Sequence, residues 1–328
     1  MATAKRYAPR HDVSSPAQTI TDAIIARLEA GTRPWQRPWT GTAACRPTRW
    51  QGDLYRGINA IWLALVADLR GFGSPFWMTY RQATELGGQV RRGEKSTIAV
   101  LYKSYGKQVE DRDTGEDRTE ARRVLRSYPV FNASQIDGLP DRFYPKPIPL
   151  ARAEDDPVRR AELQDALDAI PASVRHGGDK AYYAPSADYI QMPDIEAFRS
   201  FESYAAVRFH ESIHWSGADH RLCRTFGQRF GDEAYAMEEL TAELGSAIVG
   251  AELGLPVEHL DDHASYIASW LRVLRADSKA ILTVAARADE AASYLLGFGG
   301  RTPAGEDEPE DHDEPANDRS PIPDAIAA

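Results

Sequence analysis

The sequence predicts an α+β chain in two unlike halves, an N-terminal α+β half followed by a mainly helical half with a small sheet. Three observations carry this expectation. Helical periodicity gives way to two β-rich runs before residue 132. A charged passage with five prolines, Leu139 to Pro157, then interrupts all periodicity. Beyond it, two short strand candidates precede a run of long helices. At 328 residues and 42% hydrophobic content, the chain is long enough for two domains.

Pro16 to Ala30 places Ile20, Ala23, Ile24 and Leu28 at helical spacing and stops at Gly31. Tyr55 to Leu69 and Thr79 to Leu86 read as further helices, each ending near glycine. Thr97 to Tyr102 and Val124 to Phe131 read as strands, joined by a polar segment that turns at Asp113-Thr-Gly115. After the prolines, Val158 to Ala169 is a helix, with strands at Ala181–Tyr183 and Tyr189–Met192. Helices follow at about 195–215, 232–253 and 259–296, the last with a possible break. The expected boundaries are a flexible N-terminus at 1–13, domains at 14–139 and 158–300, a Pro-rich linker at 140–157, and a disordered acidic tail at 301–328.

Composition excludes several classes. The longest apolar run, Ile58 to Ala67, is far short of the roughly 18 to 20 residues that cross a bilayer. The opening MATAKRYAPRHD lacks the apolar core of a signal peptide. Cys45 and Cys223, far apart and outside any CxxC, rule out a disulfide framework and a cysteine-only zinc site. A cytoplasmic protein without a membrane partner is expected. The net charge of −10 conceals a division: residues 1–150 carry 23 basic against 15 acidic side chains, and residues 151–301 carry 15 against 25. A basic first half suggests a polyanionic partner for that half.

The strongest motif is VRFHESIHWSGADHRL, residues 207–222. Side chains four apart share one helix face, so His210 and His214 can aim ring nitrogens at one ion. Glu211 projects beside them, placed to hold a metal-bound water. A third ligand is needed, and the carboxylate-rich helix YAMEELTAELGSAI, residues 235–248, supplies it. Glu239 and Glu243 share a face, beside Leu240, Leu244, Ala247 and Ile248. Carboxylates there are costly unless a cation meets them. Glu239 is the expected ligand, Glu243 the expected acceptor for the free ring N–H of His210, and Glu238, on a different face, the second choice of ligand. Asp219, His220 and Tyr235 are candidates for supporting contacts. The bland alternative, a solvated helix bearing a Glu–His pair, fits poorly with Phe209, Ile213 and Trp215 around the trio.

Five of the seven tryptophans, Trp35, Trp39, Trp50, Trp62 and Trp77, lie in the first 80 residues among arginines. Cations that track phosphates and aromatic faces that stack on bases are the two components of single-strand binding. The candidate contacts are Arg33, Trp35, Arg37, Trp39, Arg81, Arg91, Arg92, Lys95, Tyr102 and Lys103. Tryptophans more often fill cores, and Trp62, on an apolar helix, is expected to do so.

The combination of IIARLEAGTRPWQRPW, YRGINAIWL, WMTYRQATELGGQVRRGEKS and VFNASQIDGL with YYAPSADYIQMP, FHESIHWSGADHRL and FGDEAYAMEELTAELGSA resembles the ArdC antirestriction proteins and the related TraC-type primases of conjugative plasmids. The resemblance runs from about Ser14 to Gly300. It implies an N-terminal single-stranded-DNA-binding domain and a zincin-like metallopeptidase domain, with the metal on His210, His214 and Glu239 and with Glu211 catalytic. It further implies protection of incoming single-stranded plasmid DNA during conjugation. Zinc is the expected metal, with manganese the alternative. The expected partners are single-stranded DNA and a protein substrate or restriction-system protein. The strand Tyr189–Met192 is expected to line the cleft and pair with an extended substrate. The competing reading is a non-proteolytic DNA-coating or primase-accessory protein whose zincin domain is structural or regulatory.

Overall fold

The computed structural model describes residues 14–33, 35, 46–110, 117–145, 156–226, 232–255 and 264–301, without the side chains of residues 102–110, 117–124 and 264–265. The expectations for residues 1–13, Arg37, Trp39, most of the linker and the acidic tail beyond Arg301 lie outside the described residues, as do the side chains of Tyr102 and Lys103.

Helix α1 (Pro16–Glu29) starts at Ser15, whose hydroxyl accepts the Gln18 N–H at 3.2 Å, with Pro16 in the first turn. Its stripe of Ile20, Ile24 and Leu28 is almost fully buried. Helix α2 (Gly57–Arg70) is apolar nearly all round and is therefore covered on two sides. One cover is a four-stranded sheet of order β1-β2-β5-β4, made of β1 (Thr48–Arg49), β2 (Phe76–Met78), β4 (Thr97–Glu110) and β5 (Asp117–Asn132). The other cover is the C-terminal helix α8 (Ala280–Phe298). Strand β4 is an edge, and α2 caps it: Asn59 exchanges two hydrogen bonds with the Val100 backbone, at 2.7 and 2.9 Å, while Trp62 Nε1 donates to Ile98 O at 2.8 Å. Trp62 is a core residue, as its helix predicted.

The β4–β5 pair is longer than its hydrophobic runs, pairing Thr97 with Val130 through to Glu110 with Asp117. The charged outer halves of both strands gave no apolar alternation to read. Helix α3 (Tyr80–Glu85) carries a capping box between Thr79 and Gln82. The small ladder of β3 (Gln89–Val90) with β6 (Ile136–Asp137) closes this body. A 3-10 turn at Asp141–Phe143 buries Phe143 against Met78, Val90 and Leu139. The start of the expected linker therefore belongs to the N-terminal body.

The second half opens with α4 (Pro157–Asp168) and a three-stranded sheet in the order β7 (Ser173–His176), β9 (Tyr189–Met192), β8 (Tyr182–Ala184). Helices α5 (Phe201–Ser216), α6 (Glu233–Leu253), α7 (Ala264–Ala276) and α8 follow. The helix expected from 195 begins later, after a 3-10 turn at Ile195–Ala197, and the long one expected from 259 breaks into α7 and α8. Strand β9 holds both its neighbours, parallel β7 and antiparallel β8, so its backbone is already paired and cannot receive a substrate strand. That expectation is corrected: a free edge belongs to an outer strand.

The two halves share one hydrophobic core, in which Ile24, Trp35 and Trp62 join residues such as Trp270, Ala288 and Leu295. Helix α1 packs on α7, and Thr21 Oγ1 donates to Ser278 O at 2.7 Å. At the α2–α8 junction, Asp289 is buried between Arg46 and Arg56, with Arg56 Nε at 2.9 Å. No helix among the described residues is long and apolar enough to cross a membrane.

Candidate metal centre

Helix α5 is set by Ser200, whose hydroxyl accepts the Ser203 N–H at 3.1 Å, and α6 by Asp232, which accepts from Tyr235 N at 2.6 Å. The two helices approach closely because Gly245 of α6 faces Ile213 of α5: a Cβ on Gly245 would stand 2.8 Å from Ile213 Cδ1. This crossing brings Glu239 to the histidine face. His210 Nε2 lies 3.9 Å from Glu239 Oε2, and His214 Nε2 lies 3.7 Å from Glu239 Oε1. One ligand atom from each of the three residues lies within 4.8 Å of the others, the one such cluster found among the described residues.

Two imidazoles and a carboxylate are the donor set of a catalytic zincin site, which leaves one position open. A tetrahedron with bonds of about 2.0 to 2.1 Å has edges of about 3.3 to 3.4 Å. The ligand atoms stand somewhat farther apart than those edges, so a divalent cation bound here would draw the three side chains together. The electrostatics fit the same group. Burial alone would lower the His214 pKa, but Glu239, Glu238 and Glu211 together push it up to about 9. The pocket carries an excess of negative charge that a cation neutralises. Glu211 is 5% exposed beside the pair.

The structure places the surrounding residues differently from the sequence expectation. The carboxylate on a histidine ring is that of Glu238, whose Oε1 lies 3.2 Å from His214 Nδ1 on the side away from Glu239. Burial would raise the Glu238 pKa, yet hydrogen bonds from His214 and Arg224 outweigh it and hold the carboxyl below its usual range. Glu243, expected beside His210, accepts from Trp35 Nε1 at 3.2 Å and Arg33 Nη1 at 3.4 Å. Tyr235 shares a 3.0 Å hydrogen bond with Tyr266 and also bonds Glu239; its pKa is raised, by burial first. His220 is exposed and sits by Asp188 and Arg221. Arg224 was missed altogether. Its only signal in the sequence was a basic residue soon after HESIH.

On the N-terminal half, Trp35 and Arg33 are turned inward. Trp35 is 8% exposed and packs edge-on against Trp270, so its faces are not offered to bases. Trp77 is also core. Arg81, Arg91, Arg92 and Lys95 are exposed, as is the ring of Tyr80. Arg81 pairs with Glu85, and Arg91 with Glu94 and Asp137.

Comparison with known proteins decides the family. A model of the N-terminal domain of anti-restriction factor ArdC matches residues 14–131, and one of a zincin-like metallopeptidase matches residues 161–287. The crystal structure of metal-free antirestriction ArdC protein from plasmid R388 superposes with a TM-score of 0.73 at 41% identity, over 88% of this chain and 98% of that one. An uncharacterized Sinorhizobium fredii protein, y4eC, is 43% identical over 284 residues, 85% of this chain and 90% of that protein.

The chain belongs to the ArdC antirestriction family.

The ArdC fold thus accounts for both halves, with the zincin-like domain second. Two Escherichia coli proteins named DNA primase TraC are 39% and 38% identical across 86% of this chain, which spans only 27% and 20% of their lengths. A second R388 ArdC structure, bound to Mn(II), matches with a TM-score of 0.70 at 40% identity. A divalent cation in that relative accords with the donor set found here.

Proposed function

We propose that this protein is a single-stranded-DNA-binding antirestriction factor whose second domain is a zinc-dependent peptidase, protecting plasmid DNA that enters a cell by conjugation. The observation that carries the peptidase reading is the convergence of His210, His214 and Glu239 beside the buried carboxylate of Glu211. When bound there, zinc, or manganese in its place, would polarise a scissile carbonyl and lower the pKa of water. Glu211 takes the proton from the attacking water and passes it to the leaving amine. The free edge of β8, packed beside α5, is the backbone available to an extended peptide. DNA contacts fall to the exposed set Tyr80, Arg81, Arg91, Arg92 and Lys95, with Arg37, Trp39, Tyr102 and Lys103 as sequence candidates. Such contacts give affinity that falls steeply with salt and favours single over double strands.

Glu211→Gln tests the reading. The variant keeps its metal and its DNA affinity and loses peptide hydrolysis. In a transfer assay, loss of plasmid protection in that variant ties protection to cleavage. Intact protection there, with a loss on reversing Arg91 and Arg92, supports the rival in which the protein coats DNA and the metal domain is structural.

A further inference from the structure

We infer that Arg224 is a positioning residue for the metal ligand His214, acting through Glu238 without touching the ion. The inference rests on the reading of His210, His214 and Glu239 as ligands. Arg224 lies in the loop after α5 and is 5% exposed. Its guanidinium grips Glu238 as a fork: Nε donates to Oε2 at 3.0 Å and Nη2 to Oε1 at 2.8 Å. The same Oε1 receives the Nδ1–H of His214. The other donors anchor the fork to the last turn of α5, Nη1 to Ser216 Oγ at 3.0 Å and Nη2 to Ile213 O.

The loop is shaped to seat this side chain. Gly217 leaves it room, since a Cβ there would stand 2.8 Å from Arg224 Nη2 and 2.9 Å from Cζ. Cys223 takes a left-handed φ of 50°, and Arg224 N donates to Gly217 O at 2.8 Å, which folds the chain back under the helix end. A buried guanidinium and carboxylate in fork geometry hold each other's charge and orientation. With Glu238 fixed, the His214 ring is held in one rotation, its Nδ1–H toward Glu238 and its Nε2 toward the ligand site beside Glu239. Lysine cannot reproduce this, because a single ammonium holds neither the plane of the carboxylate nor both its oxygens.

The test uses the full chain and Co(II), whose visible absorption reports the ligand geometry, titrated against a competing chelator. Glu238→Gln and Arg224→Lys bind Co(II) about 10- to 100-fold more weakly than wild type, with a shifted absorption band. The double variant is no weaker than the weaker single, because both act on one ring. Glu238→Gln keeps the size and an acceptor oxygen, so it carries the test if Arg224→Lys fails to fold. Unchanged affinity and spectrum in Glu238→Gln overturn the inference, as does a weaker affinity with an unshifted band, which marks lost stability rather than lost orientation. A wild type that takes up no Co(II) overturns the metal reading beneath it instead.

Discussion

Trp35 donates its indole N–H to Glu243 across 3.2 Å, and Glu243 stands one helical turn beyond Glu239 on α6. The same indole meets Trp270 edge-on at 5.7 Å, Trp270 stacks on Tyr266, and Tyr266 stacks on Tyr235. A short segment of the N-terminal half is thus built into the wall of the metal domain.

Trp35→Phe separates this role from DNA stacking. Phenylalanine keeps the aromatic packing and removes the N–H, leaving the buried Glu243 carboxylate short of a donor. A loss of about 1 to 3 kcal/mol in urea unfolding is expected, with single-strand affinity unchanged. Weaker DNA binding at unchanged stability would return Trp35 to the DNA surface.

Asp289 is the electrostatic joint between the halves. It is 5% exposed and meets both Arg46 and Arg56, while Arg46 Nη1 also lies 3.4 Å from Glu252. Asp289→Ala strips Arg46 and Arg56 of their shared buried partner, leaving Arg46 with Glu252, and costs about 1 to 3 kcal/mol of unfolding free energy. Replacing Arg46 and Asp289 together by Met and Leu recovers much of the loss. A single-variant cost below about 0.5 kcal/mol would deny the pair this role.

Asp188 supplies a pH-dependent term. Its left-handed φ of 48° in the β8–β9 turn is held by Arg221 and by the Tyr183 hydroxyl at 2.8 Å. Hydrogen bonds from Arg221 lower its pKa from 3.8 to about 2. The stabilisation is therefore present above the unfolded value and is lost as the pH falls through about 2. Asp188→Asn tolerates the same φ but loses the charge. It melts below wild type at pH 7 by an amount worth at most about 1 kcal/mol, since the pair is partly exposed. The gap narrows between pH 4 and 2; a gap independent of pH contradicts the assignment.

The sequence made much of this structure legible. The 3.6-residue period located α1, α2 and α6 to within about two residues and the end of α5 to within one, because each buries one face or nearly all of itself. The i, i+4 rule put His210 and His214 on one face, and the cost of buried carboxylates pointed to α6. What stayed hidden depends on contacts distant in the chain. Glu238 was placed on a different face from Glu239, but only the fold shows that His214 stands between them, with Arg224 behind. Trp35 illustrates the same limit: an indole among arginines reads alike whether it stacks on a base or fills a core, and the structure gives it a buried carboxylate. The two-residue strands β1, β3 and β6 are too short to show alternation at all.

The central claim is that His210, His214 and Glu239 hold one divalent cation. Metal content per chain, measured on wild type, His214→Ala and Glu239→Ala purified side by side, tests it most directly. The account predicts one equivalent in wild type and loss of metal from both variants, each still folded by circular dichroism. A metal-free wild type under zinc-replete expression, or full metal content in Glu239→Ala, would contradict it.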